Sequence, residues 1–209
     1  MSHTHELNYS TFADCYRIIL SDKKSVLYLQ FRNRCFGNGY FGTKYICMRF
    51  FDRTEEVASL KEILELSKSN AQFTVVTGRR RIGKTSLVWK AYEDEPILYF
   101  FVARKAESDL CADYIQEIEN KLGIPTMGRV ERFPEIFEYL MKLSIERPIT
   151  LFIDEFQEFF KVNKSVYSDM QRIWDMYHTK AHINLIVCGS IFSMMTKIFK
   201  DKKEPLYNR

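Results

Sequence analysis

Eight residues, Gly78-Arg79-Arg80-Arg81-Ile82-Gly83-Lys84-Thr85, are spaced for work on a phosphate chain. They fit the pattern G-x-x-x-x-G-K-[ST], in which glycines let the backbone wrap closely around phosphate oxygens. Backbone N–H groups from about Gly83 to Ser86 are expected to point inward at the start of a helix, where the helix dipole favours an anion. Lys84 is expected to reach the β and γ phosphates of a nucleotide, and the Thr85 hydroxyl to bind Mg²⁺. The run Arg79-Arg80-Arg81 could contact phosphates or a partner's carboxylate, although a solvated loop face is the plainer reading for at least two of the three.

Holding a phosphate is not hydrolysing it, so the next requirement is a carboxylate on the metal side. The stretch "ITLFIDEF" supplies a candidate pair. Its apolar run reads as a strand that delivers Asp154 to the carboxyl end of a sheet, where ligands bind in open α/β folds, and Asp154 can hold Mg²⁺ through water. Glu155 then stands where a general base polarises the attacking water. An acidic pair at a strand end can also cap a helix. Ser190, in "VCGS", is expected at the same sheet edge, where its hydroxyl could sense the γ-phosphate or orient the water. Its other reading is an N-cap for a helix from Ile191 onward. GTP is disfavoured by elimination. A guanine-binding Asn-Lys-x-Asp would have to use Asn163-Lys164-Ser165-Val166, and valine cannot accept the base's hydrogen bonds.

The elements that must position these residues follow from the hydrophobic pattern. Residues 73–77, 97–102, 149–153 and 183–188 are short apolar runs, as expected of parallel strands buried on both faces. Between them lie amphipathic stretches. Leu110, Tyr114, Ile118 and Leu122 recur every four residues before Gly123 and Pro125, Pro134 suits a first helical turn, and Val166, Met170, Ile173, Trp174 and Tyr177 form a further stripe. Ahead of the first strand, Asp52 with Glu55 reads as a capping box for a lead-in helix whose inner face is Val57, Leu60, Ile63 and Leu64. The alternation predicts an α/β three-layer sandwich, a mostly parallel sheet flanked by helices.

At 209 residues the chain has room for one domain and an appendage. Residues 1–47 contain nine aromatics and three of the five cysteines and show no clean period, so they are expected to be an extension, with the core over 48–209 and Met48 a possible start. The charge balance is +3 in residues 1–47 and only +1 in 48–209, which argues against a strong direct nucleic-acid interface. No apolar run is long enough to span a membrane and no secretory signal opens the chain, so a cytoplasmic protein with reduced thiols is expected. His178 and His182 sit four apart without an evident third ligand, which is too little for a metal site.

These motifs resemble the archaeal-type ATPase family, AAA+-like P-loop ATPases of the STAND group. The resemblance rests on "FFDRTEEVASL", "TGRRRIGKTSL", "LFIDEFQ", "QRIWD", "CGS" and "EPLYNR". It implies ATP as ligand, Lys84 and Thr85 as Walker A residues, Asp154 and Glu155 as the Walker B pair, and Ser190 as the sensor. It also implies that Phe51 and Arg53 lie near the adenine, and it aligns Arg209 with a terminal arginine of unassigned role. Family members continue into a fifth core strand and a helical lid. With a strand order of 5-1-4-3-2, the resemblance implies that this chain lacks both and leaves its phosphate-loop strand at a sheet edge. A protein partner or a homo-oligomer is expected from a switch of this type.

Overall fold

The computed structural model describes residues 16–20, 26–31, 53–124 and 128–207, the first two of these as backbone only. Six strands form one sheet: β1 (Tyr16–Leu20), β2 (Val26–Phe31), β3 (Gln72–Thr77), β4 (Ile97–Phe101), β5 (Ile149–Asp154) and β6 (Ile183–Gly189). Their order is β1-β2-β3-β6-β5-β4. The pairs β2–β3, β3–β6, β6–β5 and β5–β4 are parallel, and β1 closes an antiparallel hairpin with β2. The four core strands expected from the apolar runs are all present and parallel.

The helices are α1 (Thr54–Ser67), α2 (Lys84–Ala91), α3 (Glu107–Leu122), α4 (Phe133–Leu143), α5 (Phe159–Val162), α6 (Val166–Tyr177) and α7 (Phe192–Lys200). Each strand sends alternate side chains to opposite faces, and the two faces have separate cores. Val76, Phe152, Ile186 and Cys188 pack with Leu60, Ile63 and Leu64 of α1 and Leu87 and Val88 of α2. Val75, Leu151, Ile153 and Val187 pack with α3, α4, α6 and α7 on the other face. Each fully buried aliphatic or aromatic side chain contributes roughly 1.5–3 kcal/mol, so these two layers fix the strand ends that form the site. The result is the three-layer sandwich expected from the alternation.

Two expectations need correction. The phosphate-loop strand β3 is not a sheet edge, because β2 pairs with it from Val26↔Phe73 to Gln30↔Thr77. A hairpin from within the first 47 residues thus takes the place beside β3 that the expected fifth strand would have had. The capping box also shifts: α1 has Arg53 at its N-cap with no side-chain cap bond, while Asp52 falls outside the described residues. Gly123 ends α3 in the left-handed conformation with its N–H on the Glu119 carbonyl, and proline enters α4 at its start, both as the sequence punctuation required.

At the opposite margin, α3 covers the outer side of β4. The Tyr99 N–H donates to the Glu117 carboxylate at 3.4 Å, and the Tyr114 hydroxyl donates to the Phe101 carbonyl at 3.1 Å. Among the described residues no helix is long and apolar enough to cross a membrane.

Candidate functional site

β3 ends at Thr77 and the chain turns through the arginine-rich loop into α2. Two residues make that turn possible. Arg81 has φ of 63° and Gly83, the helix N-cap, has φ of 80°, both in the left-handed region. The first intrahelical bond runs from the Leu87 N–H to the Gly83 carbonyl, at 2.9 Å. The N–H groups of Lys84, Thr85 and Ser86 therefore stand at an open helix start, as anion binding requires.

Lys84 is buried, and its ammonium donates to the carbonyls of Gly78 (2.9 Å) and Arg79 (2.8 Å). An ammonium has three N–H donors, so one is left for an incoming oxygen. Arg79, Arg80 and Arg81 are exposed. Arg80 leans across the loop, with Nε donating to Ser190 Oγ at 3.4 Å. Arg53 lies directly against the loop. Its guanidinium donates to the Gly83 carbonyl at 3.4 Å and also to the Ile82 carbonyl, so it braces the backbone that carries the motif. Phe51 and Arg209 fall outside the described residues.

Asp154 closes β5 on the neighbouring strand but one. Thr85 Oγ1 donates to its Oδ2 at 2.8 Å, which brings together two side chains 69 positions apart. The Glu155 N–H holds the other oxygen at 2.8 Å, and the Tyr99 hydroxyl reaches Oδ2 at 3.3 Å. Burial, with the Asp154 carboxylate beside it, pushes the Tyr99 pKa up, so the phenol remains a donor. Burial likewise raises the Cys188 thiol beneath Asp154, which keeps it protonated and inert.

Glu155 adopts the left-handed conformation, with φ 54° and ψ 38°, and the chain passes at once into a 3₁₀ turn over Phe156–Glu158. That turn aims the Glu155 carboxylate back at β6, where Ser190 Oγ donates to its Oε2 at 2.8 Å and the Gln157 side-chain amide donates to the same oxygen. The N-cap reading of Ser190 fails: α7 is preceded by Ile191 without a side-chain cap, and the Ser190 hydroxyl is spent on Glu155. The cap reading of the acidic pair fails too: Glu155 precedes the 3₁₀ turn without a side-chain cap bond, and the two carboxylates accept from the side chains of Thr85, Tyr99, Ser190 and Gln157. His178 is taken up locally, with Nδ1 on the Trp174 carbonyl at 3.0 Å and its ring stacked on that indole.

Lys84, Thr85, Asp154, Glu155 and Ser190 thus meet at the carboxyl ends of β3, β5 and β6. Sequence reasoning missed Tyr99 and Gln157. Tyr99 sits in an apolar run, Ile97 to Phe101, where a phenol reads as packing; its signal was its place on a strand beside the acidic one. Gln157 carried no signal beyond its closeness to Asp154 and Glu155.

A family model described as an ATPase domain predominantly from Archaea matches residues 50–209. The uncharacterized protein MJECL04 of Methanocaldococcus jannaschii is 34% identical over 160 residues, covering 77% of this chain and 34% of that protein. The chain therefore spans about a third of that relative's length. MJ0424 of the same organism is 34% identical over 56 residues, or 27% of this chain and 54% of its own length. The solved Walker-type ATPase PABY2304 of Pyrococcus abyssi shares the fold, with a TM-score of 0.57 at 24% identity over 77% of this chain and 51% of that one. The phosphate loop and acidic strand end stand within the matched span, and the chain belongs to the family of ATPase domains found predominantly in Archaea.

Proposed function

We propose that this chain is an ATP-binding core that hydrolyses ATP to ADP and phosphate and acts as a molecular switch in the cytoplasm. The observation that carries the reading is the 2.8 Å bond from Thr85 to Asp154, because it joins the phosphate loop to the acidic strand end in one constellation. Gly78 to Ser86 wrap the triphosphate, with Lys84 on the β and γ phosphates. Thr85 and Asp154 are suited to hold Mg²⁺, which supplies neutralisation of phosphate charge when bound. Glu155 accepts a proton from water as the water oxygen bonds to the γ-phosphorus and the bond from that phosphorus to the β–γ bridging oxygen breaks, releasing ADP, and Ser190 orients Glu155. Arg53 holds the loop in shape.

We assign the core to residues 48–209 and residues 1–47 to an extension; β2, from within the latter, pairs with β3. A switch of this kind passes its state to a protein partner or a second copy. The test is steady-state phosphate release with Mg²⁺-ATP by the wild-type chain and by Lys84→Ala. Wild-type release is expected to exceed the variant's by at least about 10²-fold. Equal release would reject hydrolysis, and retained binding of labelled ATP would then assign the chain as a nucleotide-binding module.

A further inference from the structure

Gln157 is fully buried, yet it is polar at both ends and belongs to no motif for phosphate or metal. Its amide Nε2 faces Glu155 Oε2, where only a donor is useful. Its Oε1 then points the other way and meets no donor among the described residues. It lies against Gly189, where a Cβ would come within 2.5 Å of Oε1 and 2.3 Å of Met195 Sδ. A side chain at position 189 would therefore have to displace the Gln157 amide or Met195. The backbone of Gln157 is fixed as well, since the Tyr167 hydroxyl reaches its carbonyl at 3.3 Å. A buried amide with one end unsatisfied costs stability, so packing alone does not account for it.

What the amide gains is control of one oxygen. Gln157 and Ser190 both donate to Oε2 of Glu155. With Oε2 fixed twice, Oε1 becomes the oxygen that meets a water proton, in a single orientation.

We propose that Gln157 is a positioning residue for hydrolysis, holding the Glu155 carboxylate from a pocket that Gly189 keeps open. This rests on the ATPase reading above. Gln157 acts through Glu155, the carboxylate it holds.

The test compares the full-length wild type with Gln157→Met, which keeps the volume and removes the donor. Expected is a kcat lowered by about 10²-fold, the cost of a misplaced catalytic group, with KM and the affinity for a fluorescent ATP analogue changed by less than about twofold. In single-turnover assays the Glu155→Gln/Gln157→Met double variant is expected to be no slower than Glu155→Gln, because two residues acting as one unit are not additive. A Gln157→Met kcat within about twofold of wild type, or an equal loss in both backgrounds, overturns the proposal while leaving the ATPase reading intact. Should Gln157→Met fail to fold, Gln157→Asn decides by the same comparison, since its shorter amide cannot span from Gly189 to Glu155. Absence of turnover in the wild type overturns both readings together.

Discussion

Asp154 receives three hydrogen bonds, from Thr85, the Glu155 backbone and Tyr99, and the last comes from a strand that no motif marks. Donors behind a metal-binding carboxylate fix its direction and tune its affinity. Tyr99→Phe removes that donor while keeping the ring against Trp89 and Phe152, whose centroids lie 5.4 and 5.3 Å away. The Mg²⁺ concentration that half-activates ATP hydrolysis is expected to rise about 10-fold at unchanged ATP affinity. A titration curve that superposes on the wild type would reduce Tyr99 to a packing residue. At this scale the sequence was most informative where a motif fixes both residue type and spacing, as for Lys84, Thr85, Asp154 and Glu155. Tyr99 and Gln157 escaped because their roles depend on which strands and turns become neighbours. That adjacency is a property of the sheet, and local pattern does not encode it.

The element that aims Glu155 is the turn between β5 and α6. A left-handed glutamate costs of order 1–3 kcal/mol, so its surroundings must hold it there. Phe156 and Phe159 are fully buried, the Glu158 N–H returns to the Glu155 carbonyl at 2.8 Å, and Arg104 clamps Glu158 at 2.7 and 3.1 Å. Arg104 is the main cause holding the Glu158 carboxyl below its ordinary value of 4.5, against the burial that raises it. A carboxyl with a depressed folded-state pKa stabilises the fold above its unfolded pKa and loses that contribution as pH falls through the folded one. Denaturant midpoints should therefore place Arg104→Ala below the wild type at about pH 7, with the gap closing below about pH 4.5. A gap independent of pH would show that Arg104 acts by packing alone. Long elements with caps were legible in advance: α3 with Gly123, α4 with Pro134, and the four parallel strands. The 3₁₀ turn was not, since three residues carry no period.

The molecule as a whole is one sheet whose chemistry lies at the carboxyl ends of its parallel strands. Residues 1–47 gave no periodic signal, and the pairing of β2 with β3 links segments more than 40 positions apart, a contact that turn or propensity signals cannot announce. Its consequence is testable on the full chain. β3 is buried along its length, and removal of residues 1–31 would bare the backbone on one side of it. The shortened protein is expected to self-associate, with a lower denaturant midpoint, as judged by light scattering and unfolding curves. A monomer of wild-type stability would mean that the hairpin contributes nothing to covering β3.

At the far margin the contacts from α3 have a different consequence. The Tyr99 N–H and Phe101 carbonyl, which a neighbouring chain would need, are already engaged by Glu117 and Tyr114. The sheet therefore has a finished selvedge along β4. An engineer who grafts a strand onto that side must first unpick a helix.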